Sequence, residues 1–205
     1  MATSTNRALV IGRTKHELNV NGYGAAPSTL LVDWETIERP DAFIIKTHQD
    51  SAGNVVADLA VSCECNPRDR GYAKESRCPY IWACGSELRN PLHFPEAEKE
   101  VTKFCYDTGI FAVYKAIQLG YKKIYTIGLD MARFPTPPTR EMLDHPENLE
   151  RNRFSGHGRG NNPWFYYRNM AGFADLIYNH GVKVYKAWEH SRLPCPVEWP
   201  FGGMK

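Results

Sequence analysis

Three short stretches of the chain hold residue types able to do chemistry. Gly156-His157-Gly158 sets an imidazole between two glycines. Such a ring is accessible on a loop and titrates near neutral pH, which suits a general base; a solvated loop histidine with no role is the competing reading. Asp130 stands just past the run "KIYTIG", where a lone carboxylate can grip a hydroxyl or amino group. Asp107-Thr108-Gly109 opens an apolar segment, so Asp107 or Thr108 can cap a helix whose first N–H groups suit a phosphate or carboxylate. Cations gather at comparable places: Gly12, Arg13, Thr14, Lys15 and His16 follow one aliphatic run, and Lys46, Thr47 and His48 close another. Trp188 to Ser191 follow a third. An anionic, nucleotide-like ligand fits this combination, whereas solvated loop cations need no ligand at all.

Other motifs fail on context. Asp107-Thr108-Gly109 matches the aspartic-protease triplet, but a buried helix follows at once where a β-rich flap architecture is required. "GHGRG" at 156–160 lacks the spacing of a phosphate-binding P-loop, and "VIGRTKHE" lacks G-x-G-x-x-G. The six cysteines do not form paired C-x-x-C knuckles, so they read as reduced thiols and no metal site is expected.

The elements that must position these residues alternate along the chain. "ALVIG" at 8–12 and "DAFIIKTH" at 41–48 are short aliphatic runs of the kind found in buried parallel strands. Glycines and Pro27 break the segment between them, leaving room for a short helix near 28–38. "NVVADLAVSC" and "YIWACGS" read as strands separated by the loop-like "NPRDRGYAKESRCP", and "PEAEKEVTKFCY" from 95 as a short acidic helix. From Thr108 the pattern sharpens into an all-round apolar helix, a stop at Gly120 and a strand. A proline-rich loop at about 132–163, expected to be mobile, leads to an aromatic helix, Gly181 and the strand "VKVYKAW". Repeated helix-Gly-strand units predict an α/β fold: one Rossmann-like domain over 1–205 with a largely parallel sheet, whose ligand lies at the carboxyl ends of the strands.

Composition narrows the function classes. A chain of 205 residues with 42% hydrophobic content supports one core, and a formal net charge of +2 excludes a broadly basic nucleic-acid surface. The start "MATSTNR" lacks the apolar core of a secretion signal and no run reaches membrane-spanning length, so a soluble cytoplasmic protein is expected.

Taken in order, "TGIFAVYKAIQLGYKKIYTIGLDM" and "FSGHGRGNNPWFYYRNMAGFADLIYNHGVKVYKAW" resemble the C-terminal half of the bacterial sialyltransferases of glycosyltransferase family 42. That family begins a helix with [ST]-G, runs through A-x-x-x-G-Y-K-x-I-Y to a strand ending G-x-D, and places a G-H loop before its last helix. The resemblance implies a GT-A-like fold and metal-independent, inverting transfer of a sugar from a nucleotide-sugar donor, CMP-linked in the family, with no further cofactor. It implies that Thr108 and Gly109 lie by the donor and that Gly128 and Asp130 line the cytidine pocket. His157, with Gly156 before it, becomes the base that deprotonates the acceptor hydroxyl. The family's G-N-G-P-S-L after the first strand is read here as Gly12-Arg13-Thr14-Lys15-His16-Glu17-Leu18, which sets Arg13 in place of the asparagine. Arg133, Tyr166 or Tyr167 stands in for the family's leaving-group tyrosine. Expected partners are a nucleotide or nucleotide sugar, an unspecified acceptor and, in a homo-oligomer, further copies of the chain. A non-catalytic nucleotide- or partner-binding protein on the same fold is the alternative.

Overall fold

Ala8, Leu9, Val10 and Ile11 are all fully buried, which a strand achieves only when both faces of its sheet are covered. In the computed structural model, which describes residues 6–14, 26–63, 67–84, 98–102, 107–130 and 163–204, this run is β1 (Arg7–Ile11), an interior strand of a seven-stranded sheet. The other strands of that sheet are β2 (Phe43–Thr47), β5 (Leu59–Ser62), β6 (Tyr80–Cys84), β7 (Glu98–Val101), β8 (Lys123–Ile127) and β9 (Lys183–Lys186). Their spatial order is β7-β6-β5-β2-β1-β8-β9, and every neighbouring pair is parallel. The α/β expectation holds.

Side-chain alternation divides the core between the two faces. Ala8, Val10, Ile45, Val61, Ile124 and Val184 point to one face, where α2 (Thr108–Gln118) and α3 (Pro163–His180) bury Ile110, Phe111, Val113, Phe173 and Leu176 against them. Leu9, Ile11, Ile44, Tyr125 and Ile127 point to the other. There they meet Val32 and Trp34, which follow a 3-10 helix (Pro27–Leu31), and the hairpin β3 (Ser51–Ala52) and β4 (Val55–Val56). The C-terminal stretch covers the same face. Glu198 N–H donates to Lys186 O, Phe201 stands edge-on to Tyr125, and Met204 bridges to Val32.

Four local expectations change. The helix near 28–38 is only the 3-10 turn Pro27–Leu31, which proline starts and extended backbone at Val32 ends. "NVVADLAVSC" is not one strand: its start is the outgoing arm of the hairpin and only Leu59–Ser62 enters the main sheet. The charged stretch read as a loop contains α1 (Pro67–Glu75), because a parallel β5–β6 connection needs a crossover, and Ala73 anchors it on the Tyr80 and Trp82 cluster. The acidic stretch read as a helix forms β7. Backbone pairing to β6 overrides the helix propensity of its Glu and Lys residues, an edge strand tolerates alternating charge, and Glu100 meets Lys115 of α2 at 2.8 Å. Among the described residues no helix is long and apolar enough to cross a membrane.

Candidate functional site

The strand order fixes where a crevice can form. From β1 the chain steps outward through β2, β5, β6 and β7, then returns to the other side of β1 as β8. The loops leaving the carboxyl ends of β1 and β8 therefore part at a topological switch point. Two glycines meet there. Gly12 N–H donates to Ile127 O at 2.7 Å, and a Cβ on Gly12 would lie 2.2 Å from Gly128 O, so no side chain fits. Gly128 has φ +79°, and its own Cβ would strike Thr29 at 2.6 Å.

Ser28, which the sequence reading did not select, joins the two loops. Its hydroxyl accepts from Gly128 N–H at 2.7 Å, and its own N–H donates to Asp130 Oδ2 at 2.8 Å. Ala26 N–H and the Thr29 hydroxyl both donate to Arg13 O at 3.0 Å. The chain thus leaves the sheet at Arg13 and rejoins it at Ala26. The run Ala26-Pro27-Ser28-Thr29-Leu30 thereby lies beside the carboxyl ends of β1 and β8.

Asp130 is 3% exposed. Burial penalises its charge and pushes the carboxyl up to about 6, against the opposing pull of the Ser28 hydrogen bonds and the Lys186 ammonium. It is therefore half-protonated near the pH where a histidine titrates, and it already spends one oxygen on the main chain of Ser28.

The start of α2 adjoins these loops. Asp107 caps it, accepting from Ile110 N–H at 3.0 Å, and Thr108 Oγ1 accepts from Cys63 N–H at 3.2 Å, which ties the end of β5 to the helix. Gly109 packs on Leu129: an added Cβ would come within 2.5 Å of its Cδ2. Gly12, Arg13, Thr14, Gly128 and Asp130 are thus brought together, with Thr108 and Gly109 beside them across Leu129. Lys46 departs from expectation. It lies inside β2, fully buried opposite Ile11 and Ala60, and Nζ donates to Thr47 O at 3.0 Å, because the strand continues one residue further than its charge suggests. His48, next along, has φ 64°, unusual for a residue with a side chain. Arg133, Gly156 and His157 lie outside the described residues, as does most of the 132–163 loop.

A separate cleft of ≈ 370 Å³ is lined by Glu35, Gln49, Asp50, Tyr72, Glu75 and Arg77. Its chemistry is largely self-satisfied. Burial disfavours the Asp50 charge, but hydrogen bonds and charge from Arg77 outweigh it and hold the carboxyl below its usual range. Among the described residues no three His, Cys, Asp or Glu side chains are arranged to hold a metal ion.

No protein-family model and no curated protein matches the chain in sequence. Solved structures do match it in shape. The sialyltransferase CstII from Campylobacter jejuni, in complex with the substrate analogue CMP-3FNeuAc, superposes with a TM-score of 0.51 at 14% identity, over 97% of this chain and 88% of that one. CST-II in complex with CMP gives 0.53 at 14% identity with the same coverage. The monofunctional alpha-2,3-sialyltransferase Cst-I from Campylobacter jejuni gives 0.53 at 13% identity, over 96% of this chain and 82% of that one. The chain shares the fold of these sialyltransferases. The likeness covers 96–97% of the chain, so it extends well beyond the C-terminal half that carried most of the sequence resemblance.

Proposed function

We propose that this protein is a glycosyltransferase of GT-A-like, Rossmann-like architecture that takes a sugar from a nucleotide-sugar donor, CMP-linked or closely similar, and transfers it to an acceptor hydroxyl with inversion. The observation that carries this reading is the switch-point crevice, where Gly12, Arg13, Thr14, Gly128 and Asp130 converge beside Thr108 and Gly109, in a chain sharing its fold with sialyltransferases. In the reaction, the acceptor oxygen bonds to the anomeric carbon as the bond from that carbon to the nucleotide phosphate breaks. The electron pair leaves with the phosphate, and the acceptor proton passes to His157. Thr108 and Gly109 hold the donor, and Gly128 and Asp130 line the nucleoside end. Arg13 and Arg133 offset the charge gathering on the phosphate, while Lys46, buried at the end of β2, acts through its field rather than by contact. Fixed cations of this kind make a divalent ion unnecessary, so EDTA should leave transfer unchanged.

The test is to incubate CMP-, UDP- and GDP-sugars with wild type and with His157→Ala and to follow nucleotide release. A positioned base contributes about 10²–10⁴-fold. The variant should lose most of the release yet keep its nucleotide affinity. Equal release from both removes His157 from the mechanism. Nucleotide binding without release from any donor leaves a non-catalytic binder on the same fold.

A further inference from the structure

Ser28 is buried in the 3-10 helix, and its amide and its hydroxyl both reach across the switch point to the segment that leaves β8. The two bonds do different things. The hydroxyl accepts from Gly128 N–H at 2.7 Å and so holds the main chain in its left-handed turn. The amide donates to Asp130 Oδ2 at 2.8 Å, and the hydroxyl proton, which can rotate toward the same carboxyl, also favours its charged form. Among the described residues Ser28 is the hydrogen-bond partner of that carboxylate, and the charge acting on it comes from Lys186 of β9. Lys186 is tied in turn to the carbonyls of Ser191 and Leu193, to which Nζ donates at 2.5 and 3.2 Å. Cys195, a second titratable group beside Lys186, is kept a neutral thiol by burial, which pushes it up to about 12. Arg13 and Arg192 stand on the loops that flank the group and join it through their main chains, at Arg13 O and Arg192 N–H.

A carboxylate held by one oxygen presents the other in a fixed direction, and a fixed acceptor recognises a donor more sharply than a mobile one. We propose that Ser28 is a positioning residue of the nucleotide site, which takes Asp130 Oδ2 for the protein and thereby leaves Oδ1 to accept from a hydroxyl or amino group of the nucleoside. The inference rests on the nucleotide-sugar reading above. Ser28 then acts on the ligand only through Asp130. A serine that merely closed the two loops would act through Gly128 instead, and the two roles predict different behaviour.

The experiment is calorimetric titration of wild type, Ser28→Ala, Asp130→Asn and the double variant with CMP, UMP and GMP from pH 5 to 8, with thermal melts of all four proteins. The nucleotide phosphate itself titrates at about 6, so each pH profile is read as its difference from the Asp130→Asn protein, which has no carboxyl at that position. For whichever nucleotide wild type binds, affinity should rise with pH as Asp130 ionises. Ser28→Ala removes a bond that favours the carboxylate, so its rise should move to higher pH, with about tenfold weaker binding at pH 7. In the Asp130→Asn background the same change should cost far less, because the residue through which Ser28 acts can no longer ionise. Ser28→Cys keeps a weak acceptor for Gly128 N–H without a strong donor to the carboxyl, and should show the same upward movement if Ser28→Ala is too unstable to titrate. An equal loss in both backgrounds, or a rise at the wild-type pH in the Ser28 variants, reduces Ser28 to a loop closure and overturns the assignment while leaving the nucleotide reading intact. A wild type that binds none of the three nucleotides overturns both.

Discussion

β8 is polar at both ends, and the two ends work by different physics. At the amino end Lys123 Nζ meets Glu198 Oε1 at 2.9 Å, and Tyr125 OH donates to the same oxygen at 2.7 Å. Hydrogen bonding to Tyr125 and then to Glu198 raises the lysine, and the bond from Lys123 lowers the glutamate. Water screens this group. At the carboxyl end Asp130 is sealed from solvent, and desolvation dominates its titration. The flanking glycines divide in the same way. Gly120 has φ +91° with open space around its missing Cβ, so it is glycine for conformation alone. Gly128 has φ +79° and is also crowded by Thr29 and Gly12, so it is glycine for conformation and for space. Where two loops and a turn converge, geometry is fixed by contacts that allow no substitute; where the surface alone is served, it is not.

The widest gap should appear between the glycines. Gly128→Ala combines strain with overpacking against backbone, and a loss of about 3 kcal/mol or more is expected. Gly120→Ala meets only the strained φ and should cost about 1 kcal/mol. Urea unfolding of the two variants measures both, and equal losses would erase the distinction between the two ends.

Asp130 comes next. Its folded value lies above its unfolded one, so between about 3.8 and about 6 the unfolded chain releases the proton first. Its contribution to stability is full below that window and is lost as pH rises through it. The change is on the order of 3 kcal/mol. Asp130→Asn keeps an oxygen for Ser28 N–H but cannot ionise, so it should gain on wild type as pH rises from 4 to 7. Asp130→Ala leaves that N–H without its partner and should lose about 1–3 kcal/mol at any pH. A wild type and an Asn variant with parallel pH profiles would show that the carboxyl titrates normally.

Glu198→Gln should be the smallest effect. It removes an exposed ion pair while Tyr125 keeps an acceptor, so its urea midpoint should stay close to wild type at low and high salt alike. A loss comparable to that of Asp130→Ala would mean that the C-terminal stretch, not the crevice, governs the stability of this sheet.

Much of this layout is legible in one dimension. Gly12 and Gly128 end apolar strands and Gly120 ends α2, which announces itself by its cap and its apolar circumference, so β1, β2, β6, β8 and β9 and their order along the chain follow from pattern. Residues 67–75 and 98–101 depart from the sequence pattern because their local composition is polar. Among the described side chains of α1 only Ala73 is buried, with Tyr72 partly so, and β7 is an edge strand, so neither has a periodic apolar face to betray it. Lys46 shows the same limit within a strand, where charge suggests an exposed end and the register buries it.

What the sequence determined by itself is the set of local states: which runs extend, which coil, and where a left-handed glycine must stop them, because these depend on side chains within a few residues of one another. What only the tertiary structure decided is adjacency. Ser28 reaches Asp130 across the switch point, Arg192 reaches it from the turn beyond β9, and Glu198 returns to Lys123 at the opposite end of the same strand. Each partnership joins residues far apart in the chain, and it exists because the parallel sheet, with β1 between β2 and β8, brings distant segments together at both of its edges. Hydrogen-bonding capacity is written at every such position, but the partner that satisfies it is chosen by topology.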